Sequence, residues 1–217
     1  MTTEKQLYKI GETYIKFDFE YSEKNKSIIK DAYLTQIGVI SEGYFNKNQT
    51  YKISIEFDKG SLKTRVVVWG TAIFMGILNY GSFRTGIREI INDVRQFSEV
   101  VINKIDDGPH ITEKNIIRTE KRTGLPGRLQ ELYNRIDIYE RSINNLSNVE
   151  QQAELYAIKT EIASLVESLS EHDKQAFLDD LANVYSRNLP APNHRRTAYL
   201  INRYGLKPDE EIEFLEE

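Results

Sequence analysis

Three potential cations stand in a row near the end of the chain, at His194, Arg195 and Arg196. Asn193, a typical helix N-cap residue, precedes them, so all three fall at the start of a predicted helix. The dipole of a helix disfavours positive charge at this end. We therefore expect a negative group beside them. The acidic segment 209–217 is the first choice, ahead of a phosphate or an acidic partner.

Ser82 and Arg84 form a second candidate anion-binding site, because they lie between Gly81 and Gly86 at a predicted helix start. Backbone N–H groups of such a turn, together with the Arg84 guanidinium, could hold a phosphate. Neither common nucleotide-binding fingerprint is completed here. The competing interpretation, a helix start that Ser82 caps, is favoured.

Arg187 and Asn188 are followed after five residues by His194. This pattern resembles the Arg-polar-x(4–6)-His motif of HEPN ribonucleases, a helical family that acts without a metal. The resemblance implies that Arg187 and His194 position and protonate groups around a scissile RNA phosphate, with Asn188 in support. Pro190 and Pro192 interrupt the helix on which the family presents this motif.

The composition excludes several kinds of chemistry. The 217 residues include no cysteine, which excludes disulfides, thiolate metal sites and thiol catalysis. Only three histidines are present, none at metal-ligand spacing from another, so we expect neither a metal nor a cofactor. The formal net charge of −4 does not favour nucleic-acid binding by the whole chain.

Residues 66–83 carry no charged side chain and lie between Arg65 and Arg84. A buried strand followed by a buried helix is the favoured interpretation, since a membrane-spanning helix needs about 20 apolar residues. The alternative is a segment that enters a membrane only after activation. The first residues contain no apolar signal core, so we expect a cytoplasmic protein, membrane-associated only in that alternative.

Hydrophobic periodicity predicts an α+β fold. Residues 1–106 are predicted to form, in this order, a strand, a helix, a hairpin of two strands and a long helix. Together these elements make an N-terminal α+β domain. Residues 107–123 are predicted to be a charged linker. Residues 124–217 form an all-α domain: an antiparallel helical hairpin over 124–169, helices over 171–188 and 193–204, and an acidic tail over 209–217.

The hairpin carries heptad-spaced apolar positions along both arms. One helix-to-helix contact covers only one stripe, and apolar residues such as Ile138 flank it. We therefore expect the hairpin to contact further protein surface. The predicted interface residues are Leu132, Ile136, Ile138, Tyr139 and Ile143.

These observations predict a non-enzymatic interaction or assembly protein that binds itself or a protein partner through the hairpin. The segment ISIEFDKGSLKT resembles uncharacterised bacterial domains found near mobile elements, over residues 13–105. That resemblance implies a setting in bacterial defence or in a mobile element, with no known activity. A membrane-perturbing effector that uses residues 66–83 and a HEPN-like ribonuclease remain as alternatives.

Overall fold

A five-stranded antiparallel sheet and six α-helices make up the part of the chain that the structure, a computed structural model, describes. The described residues are 5–18, 23–44, 51–57, 63–70, 82–106, 116–192 and 212–215. The strands are β1 (Lys5–Phe17), β2 (Tyr51–Phe57), β3 (Lys63–Gly70), β4 (Ile116–Arg122) and β5 (Ile212–Leu215). The helices are α1 (Glu23–Tyr44), α2 (Phe83–Asp106), α3 (Gly124–Ser142), α4 (Asn148–Glu167), α5 (Glu171–Asp180) and α6 (Asn183–Ser186). The predicted α+β class is confirmed.

Strand β1 is the centre of the sheet, whose order is β2-β3-β1-β4. On one side β1 pairs with β3, which forms with β2 the predicted hairpin, with Ile55 opposite Val66. On its other side β1 has two partners, because β5 pairs with residues 5–8 and β4 pairs with residues 12–17. Every pairing is antiparallel. Because β1 pairs with β3, β4 and β5, it joins strands from both halves of the sequence in one sheet.

A β-bulge in β1 fixes how the helices approach the sheet. The register with β3 shifts between Lys9 and Gly11, so Ile10 is an extra residue. A Cβ at Gly11 would lie 2.2 Å from a methyl group of Val94 in α2. A Cβ at Gly124, whose φ is +55°, would lie 2.0 Å from the carbonyl oxygen of Lys9. The two glycines thus let α2 and the start of α3 contact the β1 backbone directly.

The two halves of the sequence share one hydrophobic core. Helix α2 buries Ile87, Val94 and Phe97 in the same cluster that contains Leu129 of α3 and Ile162 of α4. The region assigned to a linker contributes to this unit, because residues 116–122 form β4 and pair with β1. The tail region also contributes, since residues 212–215 form β5.

Two further sequence predictions concern the helices after the hairpin. The segment predicted as one helix over 171–188 contains α5 and α6, because the backbone is extended at Leu181 and Ala182. The helix predicted over 193–204 lies outside the described residues.

In the uncharged segment 66–83, Val66, Val67 and Val68 are buried in β3, and residues 71–81 lie outside the described part. Among the described helices none is long and apolar enough to cross a membrane.

Candidate functional site

Helices α2 and α3 run antiparallel and are joined by an ion pair at each end of their contact. Arg84, in the first turn of α2, pairs with Asp137 near the end of α3. Lys121, just before α3 begins, pairs with Glu99 in the second half of α2 at 2.6 Å. Between these two ion pairs the helices do not close completely, and a groove of about 600 Å³ remains.

Polar side chains from both helices line this groove, which we call the α2–α3 groove. Helix α2 contributes Arg88, Asn92 and Arg95, which follow one another at i, i+4 and i+7. This spacing places them on one exposed stripe of α2, beside the buried Ile91, which also lines the groove. Helix α3 contributes Gln130 and Asn134, with further lining from the end of β4.

The charge of the α2–α3 groove is positive. Arg88 and Arg95 are exposed and, among the described residues, neither forms an ion pair. Lys121 also lines the groove, but its pair with Glu99 is solvent-exposed and of the weak kind. Glu131 is the one acidic side chain among the described lining residues. The lining residues therefore carry three cationic side chains against one acidic side chain, with Asp137 also within electrostatic range of Arg88, and this balance favours an anionic ligand.

The start of α3 adds to this potential. Thr123 occupies the N-cap position and lines the groove, but its side chain makes no capping hydrogen bond. The first turn of α3 contains no acidic residue. The positive end of the helix dipole is therefore not offset by a side chain of that turn.

Gln130 has one hydrogen-bonding atom without a partner. Its Nε2 donates to Asn134 Oδ1 at 2.9 Å. Its Oε1 is shielded from solvent and accepts no hydrogen bond. A shielded acceptor without a donor costs free energy.

The predicted anion-binding residues Ser82 and Arg84 lie at the start of α2, before Arg88, and neither lines the α2–α3 groove. Ser82 caps α2, since its Oγ accepts from the Thr85 backbone N–H at 3.2 Å. The Arg84 guanidinium forms two hydrogen bonds to Asp137 and lies 5.1 Å from the ring centre of Tyr133. This pairing raises the pKa of Arg84 and lowers the pKa of Asp137. Arg84 is thus already engaged by a carboxylate. The other predicted anion-binding residues, Arg195 and Arg196, lie outside the described residues.

Two of the three residues of the HEPN-like pattern are described. Arg187 directly follows α6 in an extended conformation and is exposed. Asn188 has a φ of 53°, in the left-handed region. Neither residue therefore lies on a helix, and His194 lies outside the described residues.

Most of the predicted interface is buried within the chain itself. Leu132, Ile136 and Tyr139 are at most 6% exposed, and they belong to the core cluster that includes α2, α5 and α6. Ile143 is partly buried against the same cluster. Ile138, by contrast, is 64% exposed. The apolar stripe of the hairpin is thus covered by other elements of this chain, and one predicted flanking residue is free to meet a partner.

A buried cluster of charged side chains connects the paired strands β1 and β4. Glu12 accepts from Lys9 Nζ at 2.7 Å and from Arg122 Nη1 at 2.6 Å, and Lys9 and Glu12 are at most 1% exposed. The Arg122 guanidinium also lies 4.7 Å from the ring centre of Tyr14. Both carboxylate oxygens of Glu12 are paired, which is the requirement for burying a charge. We interpret this cluster as a structural tie between the two strands.

Sequence reasoning missed the residues of the α2–α3 groove. Arg88, Asn92 and Arg95 look like an ordinary solvated helix face, and only the packing of α3 beside them makes a site. The detectable signal was the polar i, i+4, i+7 stripe in the middle of a helix. The described residues contain no group of acidic and histidine side chains that could hold a metal ion.

Comparison with known proteins adds no relative. No protein family, curated protein or solved structure matches this chain. The interpretation of the site therefore depends on its own geometry and charge.

Proposed function

We propose that this chain is a non-enzymatic interaction protein that binds an acidic segment of a partner protein in the α2–α3 groove. The observation that carries this proposal is that Arg88 and Arg95 face the groove with no ion-pair partner among the described residues. The volume of about 600 Å³ is within the range of small-ligand and peptide sites.

A protein partner fits the groove better than a nucleic acid does. Single-stranded nucleic acids bind through cationic side chains together with aromatic rings on which bases stack. The described lining residues of the groove include no aromatic side chain. They include the amides of Asn92, Gln130 and Asn134, which can both donate to and accept from a peptide backbone.

A binding titration with a fluorescently labelled polyglutamate peptide tests this proposal. The variant Arg88→Gln/Arg95→Gln should bind about tenfold or more weakly than the unmodified protein, because two charge-assisted contacts are lost. Arg187→Gln is the matched control, since Arg187 is an exposed arginine that does not line the groove. Its affinity should be unchanged. Equal binding by all three proteins would contradict the proposal.

The helical hairpin offers a second candidate surface, for assembly with itself or with a partner. The observation that favours it is the exposure of two large side chains, Ile138 and Tyr156, which are each 64% exposed. Apolar side chains of this size gain free energy when a partner covers them. Light scattering of the unmodified protein over a range of concentrations tests this candidate.

The biological setting in bacterial defence or a mobile element remains a proposal that derives from the resemblance of residues 13–105. The ribonuclease alternative depends on His194, which lies outside the described residues. The membrane-effector alternative depends on residues 66–83, of which 71–81 lie outside the described residues. No observation on the described residues favours either alternative.

A further inference from the structure

We propose that Arg84 and Lys121 are positioning residues of the α2–α3 groove, because each holds an acidic side chain that would otherwise neutralise a groove arginine. This inference rests on the proposed function and adds two residues that act through an acid of this chain rather than through the ligand. It follows from the two flanking ion pairs and from the acids that lie within reach of the two groove arginines.

Glu99 lies within reach of Arg95 but pairs with Lys121. It follows Arg95 by four residues on α2. Side chains at this spacing are neighbours on the helix surface, and opposite charges there form ion pairs. In the structure the Glu99 carboxylate instead lies 2.6 Å from Lys121 Nζ, and Arg95 forms no ion pair with a described residue. Lys121 thus binds an acid that could otherwise pair with Arg95.

Asp137 is the corresponding acid for Arg88. Its carboxylate accepts two hydrogen bonds from the Arg84 guanidinium. Arg84 lowers the pKa of Asp137 most strongly, and the charges of Arg141 and Arg88 lower this pKa further, so Arg88 is within electrostatic range of the carboxylate. Arg88 nevertheless forms no ion pair with a described residue. Arg84 thus binds an acid that could otherwise pair with Arg88.

The fold fixes both of the cations that hold these acids. Lys121 belongs to β4, where it pairs with Thr13 of the central strand. Arg84 lies in the first turn of α2, and its guanidinium is 5.1 Å from the ring centre of the buried Tyr133. One cation therefore lies a turn before the first groove arginine, and the other lies opposite the turn after the second. Each draws its acid toward an end of the row formed by the two groove arginines.

Two sets of variants, titrated with the labelled polyglutamate peptide, test the inference. One set is Lys121→Gln, Glu99→Gln and their combination, and the other is Arg84→Gln, Asp137→Asn and their combination. Each combined variant keeps the net charge of the unmodified protein, which controls for a general loss of positive charge. Lys174→Gln is the matched single-charge control, since Lys174 forms a similarly exposed ion pair on α5 and does not line the groove. Circular dichroism checks that every variant is folded.

The inference predicts that Lys121→Gln and Arg84→Gln each bind the peptide about two- to threefold more weakly than the unmodified protein. The reason is that the released acid pairs with a groove arginine and competes with the ligand. Both combined variants should regain the affinity of the unmodified protein, and Lys174→Gln should keep it. Without peptide, the nuclear magnetic resonance signal of the Arg95 Nε–Hε group should shift in Lys121→Gln and return when Glu99→Gln is added.

Each contrary result has a distinct meaning. If Lys121→Gln/Glu99→Gln binds as weakly as Lys121→Gln, then Lys121 contacts the ligand directly and its positioning role is wrong. If Lys121→Gln and Arg84→Gln bind as tightly as the unmodified protein, the inference is overturned while the proposed function stands. If Arg84→Gln does not fold, the solvent-exposed Lys121–Glu99 pair decides the test alone. If the unmodified protein does not bind the peptide, the proposed function fails, and an unchanged Arg95 signal in Lys121→Gln would overturn the inference separately.

Discussion

Tyr8 and Asp173 lie 165 positions apart in the chain and share a buried hydrogen bond of 2.5 Å from Tyr8 Oη to Asp173 Oδ2. Tyr8 Oη also accepts from the Ser170 backbone N–H at 2.7 Å. Since Ser170 is the N-cap of α5, the tyrosine fixes the start of that helix against strand β1. Burial raises the pKa of both Tyr8 and Asp173. This contact ties the C-terminal helices to the sheet.

Replacing Tyr8 with phenylalanine removes this tie without removing the ring. We expect the free energy of unfolding to fall by about 2–3 kcal/mol, because the Ser170 N–H and an Asp173 oxygen lose a partner in a buried site. Urea unfolding followed by circular dichroism measures the change. Tyr156→Phe is the control, since Tyr156 is 64% exposed, and its effect should stay within about 0.5 kcal/mol. Equal stability of the two variants would contradict this role of Tyr8.

Gly124 is required by the contact between α3 and the β1 bulge. Gly124→Ala should lower the free energy of unfolding by about 2–5 kcal/mol, because its φ is +55° and the added Cβ would overlap the Lys9 carbonyl. Gly38→Ala is the matched control, since Gly38 is inside α1 with nothing near its Cβ position. That variant should gain about 0.5–1 kcal/mol from its higher helix propensity. Thermal unfolding of both variants checks the prediction, which fails if Gly124→Ala is as stable as the unmodified protein.

The Arg84–Asp137 pair gives stability a defined pH dependence. Arg84 lowers the pKa of Asp137 in the folded state below its ordinary value of about 3.9. The stabilisation is therefore fully present above that ordinary value and is lost as pH falls through the lower folded pKa. Since both side chains are partly exposed, we expect Asp137→Asn to cost about 1 kcal/mol at neutral pH.

Urea unfolding of the unmodified protein and of Asp137→Asn, repeated from neutral to acidic pH, measures this difference. The two should converge in acid. In the background of Arg84→Gln, the same substitution should show little change with pH. A difference that persists at low pH in the original background would contradict the assignment to this ion pair.

A substitution at Ile138 tests the assembly surface of the hairpin independently of the α2–α3 groove. Because Ile138 is 64% exposed, Ile138→Asp should change the free energy of unfolding by no more than about 0.5 kcal/mol. If the hairpin mediates assembly, the unmodified protein forms an oligomer that this variant dissociates in light scattering. Ile136→Asp is the contrasting control, since Ile136 is buried and its replacement should destabilise the subunit. A monomeric unmodified protein would rule out self-assembly.

A helix or strand could be predicted from the sequence where a single hydrophobic periodicity runs through the whole element. The spacing of Ile87, Val94 and Phe97 predicts α2, and the alternation in β2 and β3 predicts their hairpin. The alternation of apolar and polar residues predicts the first strand only from Thr13, whereas β1 begins at Lys5, because the bulge at Ile10 interrupts the alternation. Tyr8 before the bulge and Ile15 after it both belong to the core, although their positions differ by an odd number, which would place them on opposite faces of a regular strand.

Neither strand β4 nor the α2–α3 groove could be predicted from the sequence, because both depend on contacts between residues that are far apart in the chain. Strand β4 has exposed side chains at Ile117, Arg118 and Thr119, so its sequence lacks a hydrophobic face and looks like a linker. It is held by backbone pairing with β1 and by the Arg122–Glu12 ion pair, which connects residues 110 positions apart. The groove likewise depends on residues from two helices whose contact is set by the fold.

A nuclear magnetic resonance titration that follows the arginine Nε–Hε signals as the polyglutamate peptide is added tests the proposed binding site most directly. The signals of Arg88 and Arg95, assigned with single Arg→Lys variants, should shift together and saturate with the backbone signals of Gln130 and Asn134. The Arg187 signal should not move. Shifts that occur elsewhere, with Arg88 and Arg95 unaffected at saturation, would contradict the claim that the α2–α3 groove is the binding site.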